Sequence, residues 1–168
     1  MQVQRIEKQY NFLEDTGIEV CVTINDNSNV HVRAYVLNPE VLGTVPIYLL
    51  TTDLPQNDYL SRTITDQLYD PNEETRISQN IVLGIGGAKV VQALGGADIY
   101  HLNEGHGLPA FYYLKDHGVD SSGLVFTTHT PEEGGNVVRN GYHLNTRGFF
   151  GRKLPAPELR KELGGENL

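Results

Sequence analysis

The sequence is poor in cysteine, in basic charge and in long apolar runs, and each shortage removes a class of function. Its single cysteine, Cys21, has no partner within the chain for a disulfide, which fits a reducing compartment. Thirteen Lys and Arg stand against 21 Asp and Glu, a net charge of -8 with no basic stripe, so the footprint that neutralises nucleic-acid phosphates is missing. The same acidity works against docking on anionic membrane surfaces. The most apolar stretch, from Ile81 to Leu94, is broken by Gly84, Gly86, Gly87 and Lys89, too often to span a bilayer. Residues 1–8 have no apolar core of the kind a signal peptide needs. No nucleic acid, no membrane and a cytoplasmic location are the expectations that follow.

What is present is the composition of a globular chain of 168 residues, with 18 Gly and 8 Pro, about the size of one domain. Ile18, Val20, Val22 and Ile24 alternate with polar positions, the period of a half-buried strand. After turn formers at Asp26-Asn27-Ser28-Asn29, the alternation of Val30, Val32, Ala34 and Val36 predicts the second arm of a β-hairpin. Pro46 to Leu50 reads as a third strand. Residues 51–72 form a long connection with at most one short turn. Ile77, Ile81, Ile85, Ala88 and Val91 to Leu94 recur at helical steps between acidic Glu73-Glu74 and Gly95-Gly96, predicting a helix of about five turns.

A strand at Ile99–Leu102, a helical piece at Gly107–Lys115 and a strand at Gly123–Thr128 then suggest a parallel βαβ crossover. Residues 132–168 read as a loop-rich tail, with a helix only at Pro157–Leu163. The expected fold class is therefore α/β: an N-terminal β-hairpin or sheet (18–50), the loop (51–72), and a helix with the parallel unit (73–131).

Three polar motifs stand out. Gly84-Ile85-Gly86-Gly87-Ala88-Lys89 resembles a phosphate loop, but it sits inside the helical period, where glycines mark close packing instead. His101-Leu102-Asn103-Glu104-Gly105-His106 and Phe126-Thr127-Thr128-His129-Thr130-Pro131 each fall where a strand ends, the position at which parallel sheets bind ligands. Asn103, Glu104, His106 and His129 together make a donor and acceptor set suited to a polyhydroxylated ligand. A metal reading would take His101, Glu104 and His106 as ligands, at a spacing unlike the helical two-His pair of zinc hydrolases. The bland alternative is that Asn103 or Glu104 caps the next helix.

Several ordered runs carry a family resemblance: Val45–Leu50 with Thr52-Asp53-Leu54-Pro55, Ser61–Tyr69, Glu74-Thr75-Arg76-Ile77, Leu83–Gly87, Tyr100–His106 and Val125–Pro131. Taken together, the chain resembles α-glucan (glycogen or maltodextrin) phosphorylase in its short prokaryotic form. The resemblance implies a Rossmann-like GT-B glycosyltransferase N-terminal domain, of which residues 1–168 would be one partial domain. It implies transfer of a terminal glucose from an α-1,4-glucan to phosphate, giving glucose 1-phosphate, with pyridoxal phosphate as the family's cofactor. By matching position, Asn103, Glu104 and His106 would line the cleft near the sugar and His129 would position the transferred glucose.

No segment here resembles the surroundings of the family's cofactor lysine. This chain is therefore expected to bind no cofactor and to be inactive alone, either self-associating or completed by the remainder of such an enzyme. The alternative is a non-catalytic glucan-binding or regulatory module.

Overall fold

A computed structural model describes residues 12–25, 28–132 and 137–164. Residues 1–8, the Asp26-Asn27 part of the expected turn and residues 133–136 of the tail lie outside the described residues.

The described residues open with a three-stranded antiparallel sheet in the order β1-β2-β3, formed by Leu13–Ile24, Ser28–Leu37 and Ile47–Thr51. The hairpin register pairs Val20 with Val32 and Val22 with Val30, so the alternating apolar residues share one face; Val22, Ile24, Val30, Val32 and Ala34 are buried there. Strand β1 starts five residues before the alternation does. The reason is a register shift between Asp15 and Glu19, where Gly17 takes a left-handed φ of 69° and throws the upstream residues out of phase. The turn is also displaced: Ser28 and Asn29 belong to β2, and the reversal rests on Asn25 at φ 56°, whose carbonyl accepts from Ser28 N–H at 3.2 Å.

On the opposite face of this hairpin, Glu19 accepts from Gln56 Nε2 (2.8 Å) and Arg33 (2.9 Å) and pairs with His31 Nδ1 (2.9 Å), tying the following loop to the sheet. These bonds, that from Gln56 foremost, hold the Glu19 carboxyl below its ordinary value near 4.5. A folded-state value below the unfolded one stabilises the fold above the unfolded value and is lost as pH falls through the folded one. Glu19→Gln should therefore make unfolding less dependent on pH across the acid limb below about pH 4.5 while leaving the near-neutral slope unchanged, read from denaturation midpoints at a series of pH values.

Two one-turn helices, α1 (Pro39–Leu42) and α2 (Tyr59–Arg62), punctuate the connections; the second is capped by Asp58, whose carboxylate accepts from Ser61 N–H. Helix α3 (Glu73–Ile81) starts at Asn72, which caps Thr75 N–H, with Glu73 and Glu74 in the first turn where the helix dipole favours acid. It runs through a π-helical turn, Val82–Gly86, into α4 (Gly87–Ala93). Ile77, Ile81 and Ile85 lie against the sheet, and the glycine motif is helical as its period requires. The last turn leaves the core, with Leu94 exposed.

Strand β4 (Tyr100–Asn103), a 3₁₀ turn at Gly105–Gly107, helix α5 (Pro109–Asp116), a second 3₁₀ turn and strand β5 (Leu124–Thr127) complete a βαβ unit. The two strands are parallel and form their own sheet, with Asn103 opposite Thr127. The structure is thus mixed α/β, an antiparallel sheet and a parallel pair joined by the α3–α4 helix.

The tail departs from expectation. It contains α6 (Gly141–Arg147) as well as α7 (Ala156–Leu163), and Leu144, Phe149, Phe150, Leu154 and Leu159 are part of the main core. Helix α6 is only seven residues long and polar in composition, so no period announces it. Its ends carry the signals instead: Asn140 accepts from His143 N–H at 3.1 Å, and Gly148 closes it at φ 88°. Among the described residues no helix is long and apolar enough to cross a membrane.

Candidate functional site

The tips of β4 and β5 meet in a hydrogen-bonded knot. Past Asn103 the chain turns at Glu104, whose φ of 59° and ψ of -176° lie in a region that side chains other than glycine's rarely occupy, a strain of about 1–3 kcal/mol. The surroundings hold it there. Glu104 N–H donates to Thr127 carbonyl at 2.8 Å, and its carboxylate accepts from the His129 N–H and from Thr128 Oγ1 at 3.3 Å. The His129 ring returns to β4, with Nε2 2.9 Å from Asn103 Oδ1. With that oxygen as acceptor, the ring proton sits on Nε2.

Three of the four expected residues, Asn103, Glu104 and His129, are therefore in direct contact. Both Asn103 and His129 are solvent-exposed. His106 stands one 3₁₀ turn further on, its ring edge-on to Tyr69 with centroids 5.9 Å apart. Glu104 and His106 line the same cleft of about 480 Å³, together with Arg76, Asn80, Thr130 and Arg139. Within the knot Glu104 links backbone across the strands instead of capping α5, which has no side-chain cap.

The metal reading does not survive this geometry. His101 points its Nε2 at Thr127 Oγ1, 2.7 Å away, and among the described residues no three His, Cys, Asp or Glu side chains converge as a ligand set. Among the described residues no lysine lines the cleft either, so the donor set they make offers nothing to form an imine with a pyridoxal group.

Asn80 and Arg139 are cleft residues that no motif contained, and Arg76 stood only within the Glu74–Ile77 run, with no site role. Arg76 and Asn80 are four apart on α3, which puts them on one helix face, and that spacing was the available signal. Arg139 follows a glycine-rich stretch with no pattern to single it out.

With this geometry in view, comparison with known proteins is informative. The chain is 47% identical over 168 residues to an uncharacterized protein of Methanocaldococcus jannaschii, a match that takes in 98% of this chain and 32% of that protein. It is 36% identical over 133 residues to the glycogen phosphorylase of Mycobacterium tuberculosis, covering 68% of this chain and 15% of the relative. The maltodextrin phosphorylase of Thermococcus litoralis is 40% identical over 122 residues, 64% of this chain and 14% of the relative.

Over part of its length, the chain is related to glycogen and maltodextrin phosphorylases. It spans about a third of the archaeal relative and a much smaller share of the phosphorylases. No family model matches the sequence, and no solved structure matches the chain.

Proposed function

We propose that this chain supplies the sugar-facing wall of an α-glucan phosphorylase-like catalytic unit built on a GT-B type fold. The observation that carries the reading is the knot at the strand tips, where Asn103, Glu104 and His129 are held together in solvent at the carboxyl ends of two parallel strands. An imidazole and an amide presented side by side suit the hydroxyls of a terminal glucose. Strain at Glu104 held by its neighbours is characteristic of a preorganised site. The ligands of the full reaction would be an α-1,4-glucan and phosphate. Pyridoxal phosphate, the cofactor of such enzymes, would be held elsewhere, since no lysine among the described residues lines the cleft.

In this reading the wall binds and orients the sugar. The His129 amide is bonded to Glu104 and its ring to Asn103, so the ring is oriented before a sugar arrives. The parallel pair also bears apolar side chains toward solvent, Ile99 beside β4 and Val125 and Phe126 on β5. Parallel strands are normally covered on both faces, which supports a role as one part of a larger unit.

Saturation-transfer NMR with maltoheptaose tests the reading. The expected result is transfer to the terminal glucose, lost in an Asn103→Ala, His129→Ala double variant that melts as the parent does. Phosphorolysis by the chain alone should be undetectable. Absence of transfer to the parent chain would overturn the sugar-facing assignment.

A further inference from the structure

A second cavity, of about 690 Å³, lies between the end of β1, helices α4 and α5 and the connection from α6 to α7, and shares no lining residue with the cleft. Its size is usual for a small-molecule site. Lys89, the last residue of the glycine motif, lines it. In this acidic chain, cations are generally met by carboxylates: Arg33 by Asp15 and Glu19, Arg62 by Asp53, Lys115 by Glu162, Arg152 by Asp116 and Glu158. Lys89 is not. Its ammonium donates to the Cys21 carbonyl at 2.7 Å and lies 5.5 Å from the centre of the Tyr113 ring, and no carboxylate among the described residues pairs with it. An ammonium carries three N–H donors, so the carbonyl occupies one and leaves the charge without a counter-ion. Among the described residues no Asp or Glu lines the cavity to supply one.

Beside this charge the cavity is apolar and rigid. Ile85 is 4% exposed and forms part of the wall. The neighbouring Tyr113 is held at two points: its hydroxyl donates to Gln92 Oε1 at 3.0 Å, and its ring stacks on His117 with centroids 4.0 Å apart and 29° between planes. The imidazole is held in turn, with Nδ1 2.7 Å from the Tyr113 carbonyl oxygen; with that oxygen as acceptor, the ring proton sits on Nδ1. Gly151 helps keep this wall open. At its left-handed φ of 75°, a Cβ would stand 3.7 Å from Ile85 Cδ1 and 3.9 Å from Tyr113 Cα.

One unmatched charge beside a fixed aromatic ring selects a particular kind of molecule. Arg152 is spent on Asp116 and Glu158, and Lys153 is exposed to solvent, so Lys89 offers the single charge that a ligand can neutralise within the cavity. A carboxylate takes an ammonium by a charge-assisted hydrogen bond. An aromatic body adds edge-on or offset contact with the held Tyr113 ring and covers Ile85.

We infer that this cavity binds a small aromatic monocarboxylate, with its carboxylate on Lys89 and its ring against Tyr113 and Ile85. The inference stands without the glucan reading, because it uses none of the cleft residues and is measured with no glucan present.

The test is titration of the full chain with benzoate, following isoleucine δ-methyl resonances by NMR. A bound aromatic ring shifts the methyl it covers, so Ile85 should move saturably while Ile77, buried in the core and outside the cavity lining, stays in place. Benzamide, which keeps the ring and loses the charge, and acetate, which keeps the charge and loses the ring, should each bind at least about tenfold more weakly. Lys89→Gln should weaken benzoate binding by about tenfold, the factor that one charge-assisted hydrogen bond carries. Lys161→Gln, at an exposed position on α7, should leave it unchanged. No saturable shift of Ile85, benzamide or acetate binding as tightly as benzoate, or an equal loss in the two lysine variants would overturn the inference. Should Lys89→Gln not fold, the three ligands on the parent chain decide it.

Discussion

Gly84→Ala is expected to lower the free energy of unfolding by about 3 kcal/mol, an overpacking penalty at the upper end of the usual range. A Cβ at residue 84 would stand 2.8 Å from Ala110 N, 3.0 Å from Gly107 carbonyl O and 3.0 Å from Pro109 Cβ. Two of these neighbours are backbone atoms, one in the 3₁₀ turn before α5 and one in its first turn, which cannot swing aside as a side chain does. Gly87→Ala is the control, three residues on in the same helical run. Its Cβ meets only Leu50 Cδ1, at 3.9 Å, and alanine's helix preference should make it neutral or stabilising by up to about 1 kcal/mol. Urea unfolding followed by circular dichroism separates the two, and a Gly84→Ala protein as stable as the parent would refute the close approach.

The approach also matters for the site, because Gly107 closes the 3₁₀ turn that carries His106, so pushing α5 away displaces one wall of the cleft.

This contrast shows where sequence patterning is informative. The glycines at 84, 86 and 87 fall within a run whose isoleucines recur at helical steps, and that period alone argues for packing instead of phosphate binding. Which glycine makes the contact was not legible, since it depends on where α5 crosses. Strands β1 and β2 were legible because one face of each meets the core and the other meets water, whereas β3, whose burial does not alternate, was legible only as a short apolar run. The first residues of β1 were hidden by the bulge at Gly17, which inverts the alternation without ending the strand.

Asn103, Glu104 and His129 were legible as a group because they end two strands of one βαβ unit. The bond between Glu104 and the His129 amide was not legible, nor was the left-handed backbone at Glu104, since nothing about a glutamate suggests φ above zero. Arg139 was invisible for a different reason: it reaches the cleft from a segment whose residues form no period or motif.

The tail was the largest misreading, and Phe150→Ala measures how much depends on it. The Phe150 ring is 1% exposed and packs edge-on against Tyr112, with centroids 4.8 Å apart, and against Phe149 at 5.5 Å. Truncating a fully buried phenylalanine costs about 3–5 kcal/mol, the lost transfer energy plus the cavity left behind, and the two aromatic contacts argue for the upper half of that range. That is a large fraction of the stability of a chain this size. Tyr142→Ala, on the neighbouring helix α6 but 56% exposed, should stay within about 0.5 kcal/mol.

The loss also reaches the site, because Phe149 lines the cleft and is held partly by Phe150, so the variant should shift the NMR resonances of cleft residues such as His106 under conditions where it is still folded. A Phe150→Ala protein with parental stability would mean that the segment after α6 lies on the core without belonging to it. The cleft would then be built by α3 and the strand tips alone.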